Sequence, residues 1–486
     1  MIIWGISGNS HDASIAVFND NKLLFASQTE RYTGKKNDRD LSALLVLQLM
    51  NRYGRPERIC WYERPFMKSL RQLWAGQGLR FKQNNIKEYL KKFGIKDVPI
   101  TYIDHHHSHA AAAFYTAPWF ECAVLCVDSI GEWNTTSIWK GRSGYLKKKW
   151  TKNFPDSLGL FYSAMTQRIG LKPQEDEYIL MGMAAYGDPT RLKDRILEEM
   201  WDSDKLTINL HRGCTHWAEE LNGIQDLFDI AAATQSIYED QFRMLLQKTK
   251  DLTGATRIAL AGGCALNCLA NTIAWEYFDD VWIFPNPGDS GSSVGAVLAH
   301  TCYNLTWENC YLGYNITGKY PVDFILKDLL KGIPVGVANG RAEFGPRALG
   351  NRSLLADPRS NDIKIKVNDI KKRQQFRPFA PAVLEEHASE YFDLKHTSRF
   401  MQYAVKCTRP DELPAVVHHD NTSRVQTVPN DGSGFRQLLE AWYEATGCPV
   451  LLNTSLNIKG QPIANDRKDA NLFKKYYNVP VHTAQI

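Results

Sequence analysis

Two segments of the chain share one pattern of apolar runs and short polar turns. In residues 2–28 the runs IIWGIS, SIAVFN and KLLFASQ are separated by a turn rich in Gly, Asn, Ser and Asp and by an Asn-Asp-Asn turn. Residues 122–151 repeat the layout with AVLCVD, TTSIWK and YLKKKW. The pattern predicts a strand–loop–strand unit in each segment, in which backbone amides and short side chains can approach a phosphate. Two unrelated hairpins are the alternative interpretation.

The rest of the chain alternates helical and strand patterns. Residues 220–250 carry apolar side chains at helical spacing, which predicts a helix, and the strand RIALAGG follows. WIFPNPGDSGSSVGAVLAH predicts a strand, a polar turn and a helix. Residues 314–320 have the Asn, Thr and Gly content of a connector, after which a helix at 323–331 and the strand IPVGVANG are expected. Because 486 residues exceed the size of one core, we place a domain boundary at this restart, giving 1–315 and 316–486.

Composition and charge exclude several classes of protein. The content of 44% hydrophobic and 23% charged residues is that of a soluble globular protein. A net charge of +5 suits anionic small molecules but is too dilute for a nucleic-acid-binding face, so we expect no stable nucleic-acid complex. The ten cysteines form no CxxC pair, which favours a reducing compartment. No segment is apolar enough to cross a bilayer and the first residues enter a strand directly, so we expect a cytoplasmic protein without membrane contact.

Four histidines fall within five positions, in HHHSH at 105–109. On a helix, His105 and His109 project from one face, as two metal ligands should. Iron, manganese or zinc would also need carboxylates or water, and Asp128 and Asp289 are candidates because each follows an apolar strand and precedes a polar turn. The alternatives are a polar helix start with hydrogen-bonded imidazoles and ordinary turn aspartates that cap helices.

Other segments favour binding of phosphate-bearing molecules. The run GGCALN, residues 262–267, follows a strand and is expected to open a helix, where glycines and the helix N-terminus admit an anion, although a tight strand–helix turn needs the same residues. GRAEFGPRALGNRSLLADPR and DIKKRQQFRPFAP place basic residues beside glycines rather than on one helical face, and HHDNTSRVQTV and LLNTSLN add further donors. Binding of an RNA backbone is the alternative, but few aromatic residues interleave with these arginines, as a stacking surface would require.

Taken in order, the motifs resemble those of one family. GISGNSHDAS, HHHSHAAAA, MGMAAYG, GGCALN, PNPGDSG, GRAEFGPRALGNRS, RPFAP, TSRVQTV and NTSLN are similar to the nodulation and antibiotic O-carbamoyltransferases, among them the Nod-factor, cephamycin and tobramycin enzymes. The resemblance covers nearly the whole chain. It implies an α/β protein with an actin-like (ASKHA, Kae1-like) two-lobed domain over 1–315 that binds metal and nucleotide. A smaller α/β YrdC-like domain over 316–486 is implied to form an adenylate.

The resemblance also implies a reaction and its cofactors. Carbamoyl phosphate and Mg-ATP would give carbamoyl-adenylate and pyrophosphate in the C-terminal domain. The carbamoyl group would then pass at the metal site to a hydroxyl of a small-molecule acceptor, such as a sugar, an antibiotic or a hydroxymethyl nucleotide. Fe(II) is the implied metal, with manganese or zinc in its place as the alternative. A homodimer is among the assemblies left open.

Individual residues inherit roles from the resemblance. The implied metal ligands are His105, His109, Asp128 and Asp289, and the implied nucleotide contacts are Gly262, Gly263 and Asn267. The residues implied to bind carbamoyl phosphate and ATP are Arg341, Arg347, Lys371 (or Lys372, because the register is open), Arg373, Arg424, Ser455 and Asn457. His11 in the first loop is implied to be catalytic, as a general base for the acceptor hydroxyl. The alternative for His11 is a loop histidine bonded to Asp12.

Three positions depart from the family pattern. Ser129 replaces a glycine after the metal-site aspartate, Asn421 replaces a glycine before the arginine, and Ile179 replaces a lysine of the cleft. The last change puts the acceptor pocket in question and leaves a nucleotide acceptor open. Two other functions remain in competition: a tRNA-directed threonylcarbamoyl-type transferase, against which the mild charge argues, and a non-catalytic nucleotide-binding module.

Overall fold

The chain forms two compact units. In the computed structural model, the described residues are 1–202, 205–206 and 214–484. Unit 1 comprises Met1–Thr29 and Asn37–Glu308, and unit 2 comprises Glu30–Lys36 and Asn309–Ile486. The division into functional domains at 315/316 stays a prediction.

Helices and strands alternate through both units. The strands are β1 (Ile2–Ser7), β2 (Ser14–Asn19), β3 (Lys22–Gln28), β4 (Arg58–Trp61), β5 (Ile100–Tyr102), β6 (Glu121–Val127), β7 (Asn134–Arg142), β8 (Tyr145–Asn153), β9 (Trp201–Asp202), β10 (Lys205–Leu206), β11 (Arg257–Ala261), β12 (Asp280–Ile283), β13 (Tyr311–Ile316), β14 (Val335–Ala338), β15 (Gly340–Glu343), β16 (Arg352–Ala356), β17 (Ala380–Leu384), β18 (Tyr403–Lys406), β19 (Thr422–Val428), β20 (Val450–Ser455) and β21 (Val481–Thr483). The α-helices are α1 (Glu30–Thr33), α2 (Ala43–Tyr53), α3 (Pro65–Trp74), α4 (Ile86–Lys91), α5 (His105–Phe114), α6 (Leu158–Arg168), α7 (Glu177–Met183), α8 (Lys193–Met200), α9 (Ile224–Thr253), α10 (Ser292–Thr301), α11 (Val322–Leu329), α12 (Asn361–Ile370), α13 (Ala388–Tyr391), α14 (Gly434–Thr446) and α15 (Arg467–Tyr477).

Unit 1 contains two five-stranded sheets with the same topology. The first has the order β3-β2-β1-β4-β5 and the second the order β12-β11-β6-β7-β8. In each, three consecutive strands pair antiparallel, and two later strands then add in parallel beside the first of the three. The repeated strand–loop–strand pattern predicted from the sequence is thus confirmed in the strands and in their pairing.

Helices α5 and α10 pack closely against each other. Helix α10 also contacts β1 and β4 of the first sheet, and α5 contacts β6 and β11 of the second. Gly295 makes the close approach possible, because a Cβ at this position would lie 1.8 Å from the carbonyl oxygen of Ser108. The packing of α5 against α10 brings the start of α5 next to the segment that precedes α10.

Unit 2 is built on a mixed seven-stranded sheet of order β18-β19-β17-β20-β16-β14-β21. Helices α11 and α14 pack against each other, and α14 also packs on the sheet. Their apolar faces bury Ile325, Leu329 and Trp442 against sheet residues such as Val337 and Leu451. A separate pair, β13 and β15, forms a two-stranded antiparallel ribbon.

Three local predictions were wrong. Residues 314–320 are not all connector, because β13 extends to Ile316 and pairs with a strand that comes later in the chain, a partner that local turn signals do not reveal. IPVGVANG does not form one strand: β14 ends at Ala338, and Gly340 begins β15 with a φ of 61°. The GGCALN run opens a short 3₁₀ turn, Gly263–Leu266, rather than an α-helix, since the chain must pass close to the end of β6 here.

The cysteines lie mostly in the interior of the protein. All ten cysteines lie in the described part of the chain as free thiols, most of them buried. Burial raises the pKa of Cys122 to about 12, as for a small apolar core residue. Within the described ranges, no helix combines the length and the apolar composition that crossing a bilayer requires.

Candidate metal centre

Two histidines and two aspartates meet in the interior of unit 1. They are His105, His109, Asp128 and Asp289, hereafter the His–Asp cluster, and one ligand atom from each lies within 4.8 Å of the others. The Nε2 atom of His105 is 3.0 Å from Oδ2 of Asp128 and 3.5 Å from Oδ1 of Asp289. The Nε2 atom of His109 is 3.6 Å and 3.4 Å from the same two oxygens. The structure therefore brings together all four residues that the resemblance implied.

The members of the cluster lie at or near the ends of regular elements. Helix α5 begins at His105 because Asp104 caps it, its side chain accepting a hydrogen bond from the backbone N–H of His107 at 3.1 Å. His105 and His109 are then one turn apart on the same face. Asp128 directly follows β6, and Asp289 lies in the turn between β12 and α10. Three separate stretches of chain thus supply the donors.

The charges in the cluster stabilise one another. Burial alone lowers the pKa of His105, but the carboxylates of Asp289 and Asp128 outweigh it and raise that pKa to about 10. The pKa of His109 is also raised, because the same two carboxylates outweigh its burial. In return, the two imidazoles hold the pKa of Asp128 well below its ordinary value in spite of burial.

Neighbouring groups fix the orientation of the donors. The Nδ1 atom of His109 lies 3.2 Å from Oγ of Ser292, which directs the other ring nitrogen toward the aspartates. The backbone N–H of Gly263 donates to Oδ1 of Asp128 at 3.1 Å, leaving Oδ2 for the cluster. The carboxylate of Glu132 accepts from the backbone N–H of His105 at 3.1 Å to each oxygen and so holds the first residue of the helix.

Gly262 is required by the chain path beside the cluster. Its φ is 85°, in the left-handed region, and a Cβ would lie 2.2 Å from the carbonyl oxygen of Val127, the last residue of β6. The close approach of the two strand ends positions the next N–H, that of Gly263, to reach Asp128. The glycine pair therefore shapes the cluster directly.

The other histidines of the HHHSH run have different surroundings. His106 is buried, with Nδ1 at 2.8 Å from Oγ of Ser137, and burial together with the charge of His105 lowers its pKa to about 3. His107 is half-buried and stacks on the ring of Trp139 at 5.2 Å between centroids. Only the first and last histidines of the run point into the cluster.

The donor set fits a divalent transition metal. Two imidazole nitrogens and two carboxylate oxygens suit iron, manganese or zinc, and bonds of about 2.1 Å to a shared ion place ligand atoms about 3 to 4 Å apart. The four measured imidazole–carboxylate separations, 3.0 to 3.6 Å, lie in that range. The net charge also agrees with a metal site. Two neutral imidazoles with a divalent ion carry the charge of +2 that two imidazolium rings would carry, and either balances the two carboxylates. His105, His109, Asp128 and Asp289 would hold the ion.

The implied nucleotide contacts lie beside the cluster. The backbone N–H of Gly262 donates to the carbonyl oxygen of Pro287 at 3.0 Å, and that of Gly263 donates to Asp128. Asn267 is tied to α9, because its Nδ2 donates to Oε1 of Gln235 at 3.0 Å. Its Oδ1 accepts from Nε2 of Gln235 at 3.2 Å and from the backbone N–H of Ala270, also at 3.2 Å. Their role in binding a nucleotide stays a prediction.

His11 lies in the loop between β1 and β2 and is half-buried. Asp12 follows it in the loop. Burial raises the pKa of the Asp12 carboxyl, and the nearby charge of Asp289 raises it further. Ser14, which begins β2, donates through Oγ to the carbonyl oxygen of Ser290 at 2.6 Å. The first loop is thus fastened to the segment that carries Asp289, near the cluster, and the catalytic role of His11 stays a prediction.

In unit 2, a buried lysine joins two of the implied phosphate-binding residues. The Nζ atom of Lys371 donates to Oγ of Ser455 at 3.1 Å and to Oδ1 of Asn457 at 2.9 Å. Burial, with Arg373 and Arg377 nearby, holds its pKa well below the usual value. Lys372 instead lies over the ring of Tyr477 at 5.4 Å. Of the two lysines left open by the sequence, Lys371 is the one that contacts the other implied residues.

The remaining arginines of unit 2 have distinct positions. Arg373 donates to Oδ1 of Asn368 at 2.6 Å, Arg341 lies on β15, and Arg424 lies on β19. Arg347 follows β15 in the loop before β16. Arg352, in the same motif, is fully buried, and its guanidinium donates to five backbone carbonyls at 2.8 to 3.2 Å, those of Asn339, Asn351, Asn465, Tyr314 and Gly340. It therefore supports the fold, although its spacing resembles that of its neighbours.

Two of the three departures, Asn421 and Ile179, have local explanations, whereas nothing in the structure explains the serine at position 129. Asn421 has a φ of 62° between β18 and β19, and asparagine is among the residues that adopt this conformation in place of glycine. The carbonyl oxygen of Ser129 accepts from Oγ of Ser157 at 2.6 Å. Ile179 is buried in α7, so the side chain that replaces lysine contributes to packing.

Comparison of the sequence with protein families assigns the chain to a family. The carbamoyltransferase N-terminus family matches residues 61–298, and the carbamoyltransferase C-terminus family matches residues 326–481. The chain belongs to the carbamoyltransferase family. Its enzymatic class, carbamoyl transfer, follows from this membership and from relatives named as O-carbamoyltransferases.

Relatives of this carbamoyltransferase occur in several bacteria. It is 33% identical to the uncharacterized protein sll1178 of Synechocystis, over 96% of this chain and 93% of that protein. It is 32% identical to nodulation protein NolNO of Sinorhizobium fredii, over 78% of this chain and 62% of that protein. Identity to 3'-hydroxymethylcephem-O-carbamoyltransferase of Amycolatopsis lactamdurans is 27%, over 95% and 94% of the two chains.

Among solved structures, the carbamoyltransferase is similar to the activator of the 2-hydroxyisocaproyl-CoA dehydratase from Clostridium difficile with bound ADPNP. The identity is 11% and the TM-score 0.36, over 62% of this chain and 94% of that one. A second similar structure, the ROK hexokinase from Thermus thermophilus, has a TM-score of 0.33 and 13% identity, over 62% and 98% of the two chains.

Some contributors to the cluster were not predicted. The carboxylate of Glu132 accepts a hydrogen bond from the backbone N–H of His105. The Oγ atom of Ser292 contacts Nδ1 of His109, the ring nitrogen that faces away from the aspartates. Glu132 belongs to the loop after β6, and Ser292 to the polar turn after Asp289. The signal in each case was proximity in sequence to a predicted ligand, which is a weak indication without coordinates.

Proposed function

We propose that this protein is an ATP-dependent O-carbamoyltransferase that activates carbamoyl phosphate as carbamoyl-adenylate. It then transfers the carbamoyl group to a hydroxyl of a small-molecule acceptor, such as a sugar, an antibiotic or a hydroxymethyl nucleotide. The observation that carries the proposal is the His–Asp cluster, built as a divalent-metal site in a chain of the carbamoyltransferase family. The buried Lys371 and its polar partners support it from the C-terminal part.

The activation step belongs to residues 316–486, in a YrdC-like domain. Water takes the phosphoryl group of carbamoyl phosphate, and carbamate is left. A carbamate oxygen then attacks the α-phosphorus of Mg-ATP, the bond between the α- and β-phosphates breaks, and pyrophosphate leaves. The residues that neutralise the phosphate oxygens in this step are Arg341, Arg347, Lys371, Arg373 and Arg424, with Ser455 and Asn457 as hydrogen-bonding groups.

The transfer step belongs to residues 1–315, in an actin-like domain. The acceptor oxygen attacks the carbamoyl carbon, the bond from that carbon to the AMP oxygen breaks, and AMP leaves. His11 takes the proton of the attacking hydroxyl. Gly262, Gly263 and Asn267 contact the nucleotide. When bound by the cluster, Fe(II), or manganese or zinc in its place, supplies a Lewis acid for the phosphate oxygens of the adenylate.

The activation step is tested without an acceptor. Purified protein given Mg-ATP and carbamoyl phosphate is expected to release pyrophosphate, and omission of carbamoyl phosphate is expected to stop the release. Lys371→Gln should abolish the release, because it removes the buried amino group that bonds Ser455 and Asn457, whereas the neighbouring Lys372→Gln should retain it. Protein with its metal in place that releases no pyrophosphate contradicts the proposed activation.

A further inference from the structure

A cavity of about 560 Å³ opens on unit 1, and its wall residue Arg64 shares the carboxylate of Glu132 with His105 of the candidate metal centre. Its wall comes from the start of α3, from the chain before α4 and from the last residue of β5, and includes Arg64, Phe66, Phe81, Lys87 and Tyr102. A volume of this size suits one small molecule. Its wall residues Phe66 and Phe81 are exposed over 64% and 40% of their surface.

The cavity offers aromatic rings to a ligand. The rings of Phe66 and Phe81 lie 5.9 Å apart between centroids at an angle of 42°. Tyr102 adds a third ring, exposed over 38% of its surface. The exposed faces of these rings can stack on a planar ligand, because every aromatic or heteroaromatic ring has a π-face.

The cavity also has a local excess of positive charge. Residues 64–92 contain eight lysines and arginines and one acidic residue, Glu88. Lys68 is paired with Glu63 at 2.8 Å, and Lys91 with Glu88 at 2.6 Å. Within the described ranges, the cavity residues Arg64 and Lys87 have no such ion pair. Two exposed cations in a small cavity favour an anionic ligand and disfavour a cationic one.

Hydrogen bonds connect the cavity wall to the site of transfer. The backbone N–H of Arg64 donates to Oε1 of Glu132 at 2.6 Å, and the same carboxylate accepts from the backbone N–H of His105. Asn9, in the loop that carries His11, donates through Nδ2 to the carbonyl oxygen of Gln83 at 2.8 Å. The wall is therefore fastened both to the helix that carries the cluster histidines and to the first loop.

We propose that this cavity binds the acceptor, and that the acceptor carries a planar ring together with an anionic group such as a phosphate. The ring stacks on the exposed faces of the Phe66–Phe81 pair, and the anion pairs with Arg64 and Lys87. The chemical class is that of a hydroxyl-bearing nucleoside monophosphate rather than a cationic aminosugar. This inference rests on the proposed function, since it names the acceptor of the same transfer step.

The test uses the full chain and hydroxymethyl-deoxycytidine monophosphate as the probe, with binding measured by isothermal titration calorimetry in the absence of ATP and carbamoyl phosphate. The probe should bind at least about tenfold more tightly than the corresponding nucleoside, which lacks the anion, and than deoxyribose phosphate, which lacks the ring. Lys87→Glu and Phe66→Ala should each weaken binding about tenfold. The exposed Lys96→Glu and Leu73→Ala lie outside the cavity wall and should leave the affinity within about twofold.

Three results would overturn the inference: no binding of the probe, equal affinity for the nucleoside and its monophosphate, or equal effects of Lys87→Glu and Lys96→Glu. Thermal unfolding of each variant checks that it is folded, and Lys87→Glu, on an exposed side chain, keeps the test decisive if Phe66→Ala unfolds. Because no ATP is present, the outcome is independent of pyrophosphate release. Failure of the activation step with intact probe binding rejects the proposed function, and the reverse pattern rejects only the acceptor class.

Discussion

Oδ1 of Asp289 lies 3.4 Å from Nε2 of His109, although the two residues belong to different elements far apart in the chain. The contact depends on the packing of α5 against α10, which places the turn before α10 at the first two turns of α5. A metal centre built in this way is sensitive to changes in the ligands, in their hydrogen-bonding partners and in the backbone that carries them. Each of these dependencies can be measured.

Loss of a ligand should remove the metal. His105→Ala and His109→Ala are expected to hold at least about tenfold less iron, manganese or zinc than wild type, because each removes one of four donors. Elemental analysis by mass spectrometry measures the content. His107→Ala is the matched control, since His107 stacks on Trp139 outside the cluster. Equal metal content in all four proteins would dismiss the ligand assignment.

Ser292 should contribute to metal affinity without touching the metal. Its Oγ lies 3.2 Å from Nδ1 of His109, and loss of such a bond frees the ring to rotate. Ser292→Ala is expected to lower the affinity about 10- to 100-fold, as measured by competition with a chelator. Ser293→Ala removes a neighbouring hydroxyl that bonds only the carbonyl of Ser290. If both variants bind metal equally well, Ser292 has no orienting role.

Gly262→Ala should destabilise the protein strongly. The substitution adds a Cβ 2.2 Å from a backbone oxygen at a φ of 85°, so it combines backbone strain with a clash, and we expect a loss of about 3 kcal/mol in the free energy of unfolding. Gly254→Ala has a φ of 61° with open space around the new methyl group, and should lose only about 1 kcal/mol. Urea unfolding followed by circular dichroism compares the two. A loss for Gly262→Ala no larger than that for Gly254→Ala would argue against the close approach.

The metal-free protein should lose stability as the pH rises. The pKa of His105 is raised from 6.5 to about 10 in the folded state, so its protonated ring stabilises the fold fully below pH 6.5, and this contribution disappears as the pH passes through about 10. Between pH 6.5 and about 10, the free energy of unfolding of chelator-treated wild type should therefore fall toward that of His105→Gln, as measured by urea unfolding. With metal bound, the ligands carry no proton and the dependence should vanish. A constant difference between the two proteins would contradict the charge balance described for the cluster.

The sequence predicted those features of the site that are local. His105 and His109 are one helical turn apart, so their common face follows from their spacing alone. Asp128 and Asp289 each follow an apolar strand, which made them candidate ligands, and the resemblance to a family then joined them to the histidines as one ligand set. The choice between Lys371 and Lys372 needed coordinates, because it depends on where α12 ends and which residue then turns inward.

Contacts made by the backbone or by distant partners were the least predictable. The carboxylate of Glu132 supports the cluster by accepting from the backbone N–H of His105, a group common to nearly all residues, so only its closeness in sequence to Asp128 marks it. The segment 314–320 has the composition of a connector, yet β13 extends through Ile316 because β15 pairs with it. Arg352 resembles its neighbouring arginines in sequence but is buried among backbone carbonyls. Tertiary pairing decided each of these cases.

The central claim is that one chain both activates and transfers a carbamoyl group, and carbamoyl phosphate labelled with carbon-13 tests it most directly. Without an acceptor, mass spectrometry of the quenched reaction with Mg-ATP should find the label in carbamoyl-adenylate. On addition of a hydroxyl acceptor, the label should appear as a carbamate ester with one AMP formed for each transfer, and Lys371→Gln should show neither product. Label in the acceptor without any AMP, or a transfer that proceeds in the absence of ATP, would contradict the account.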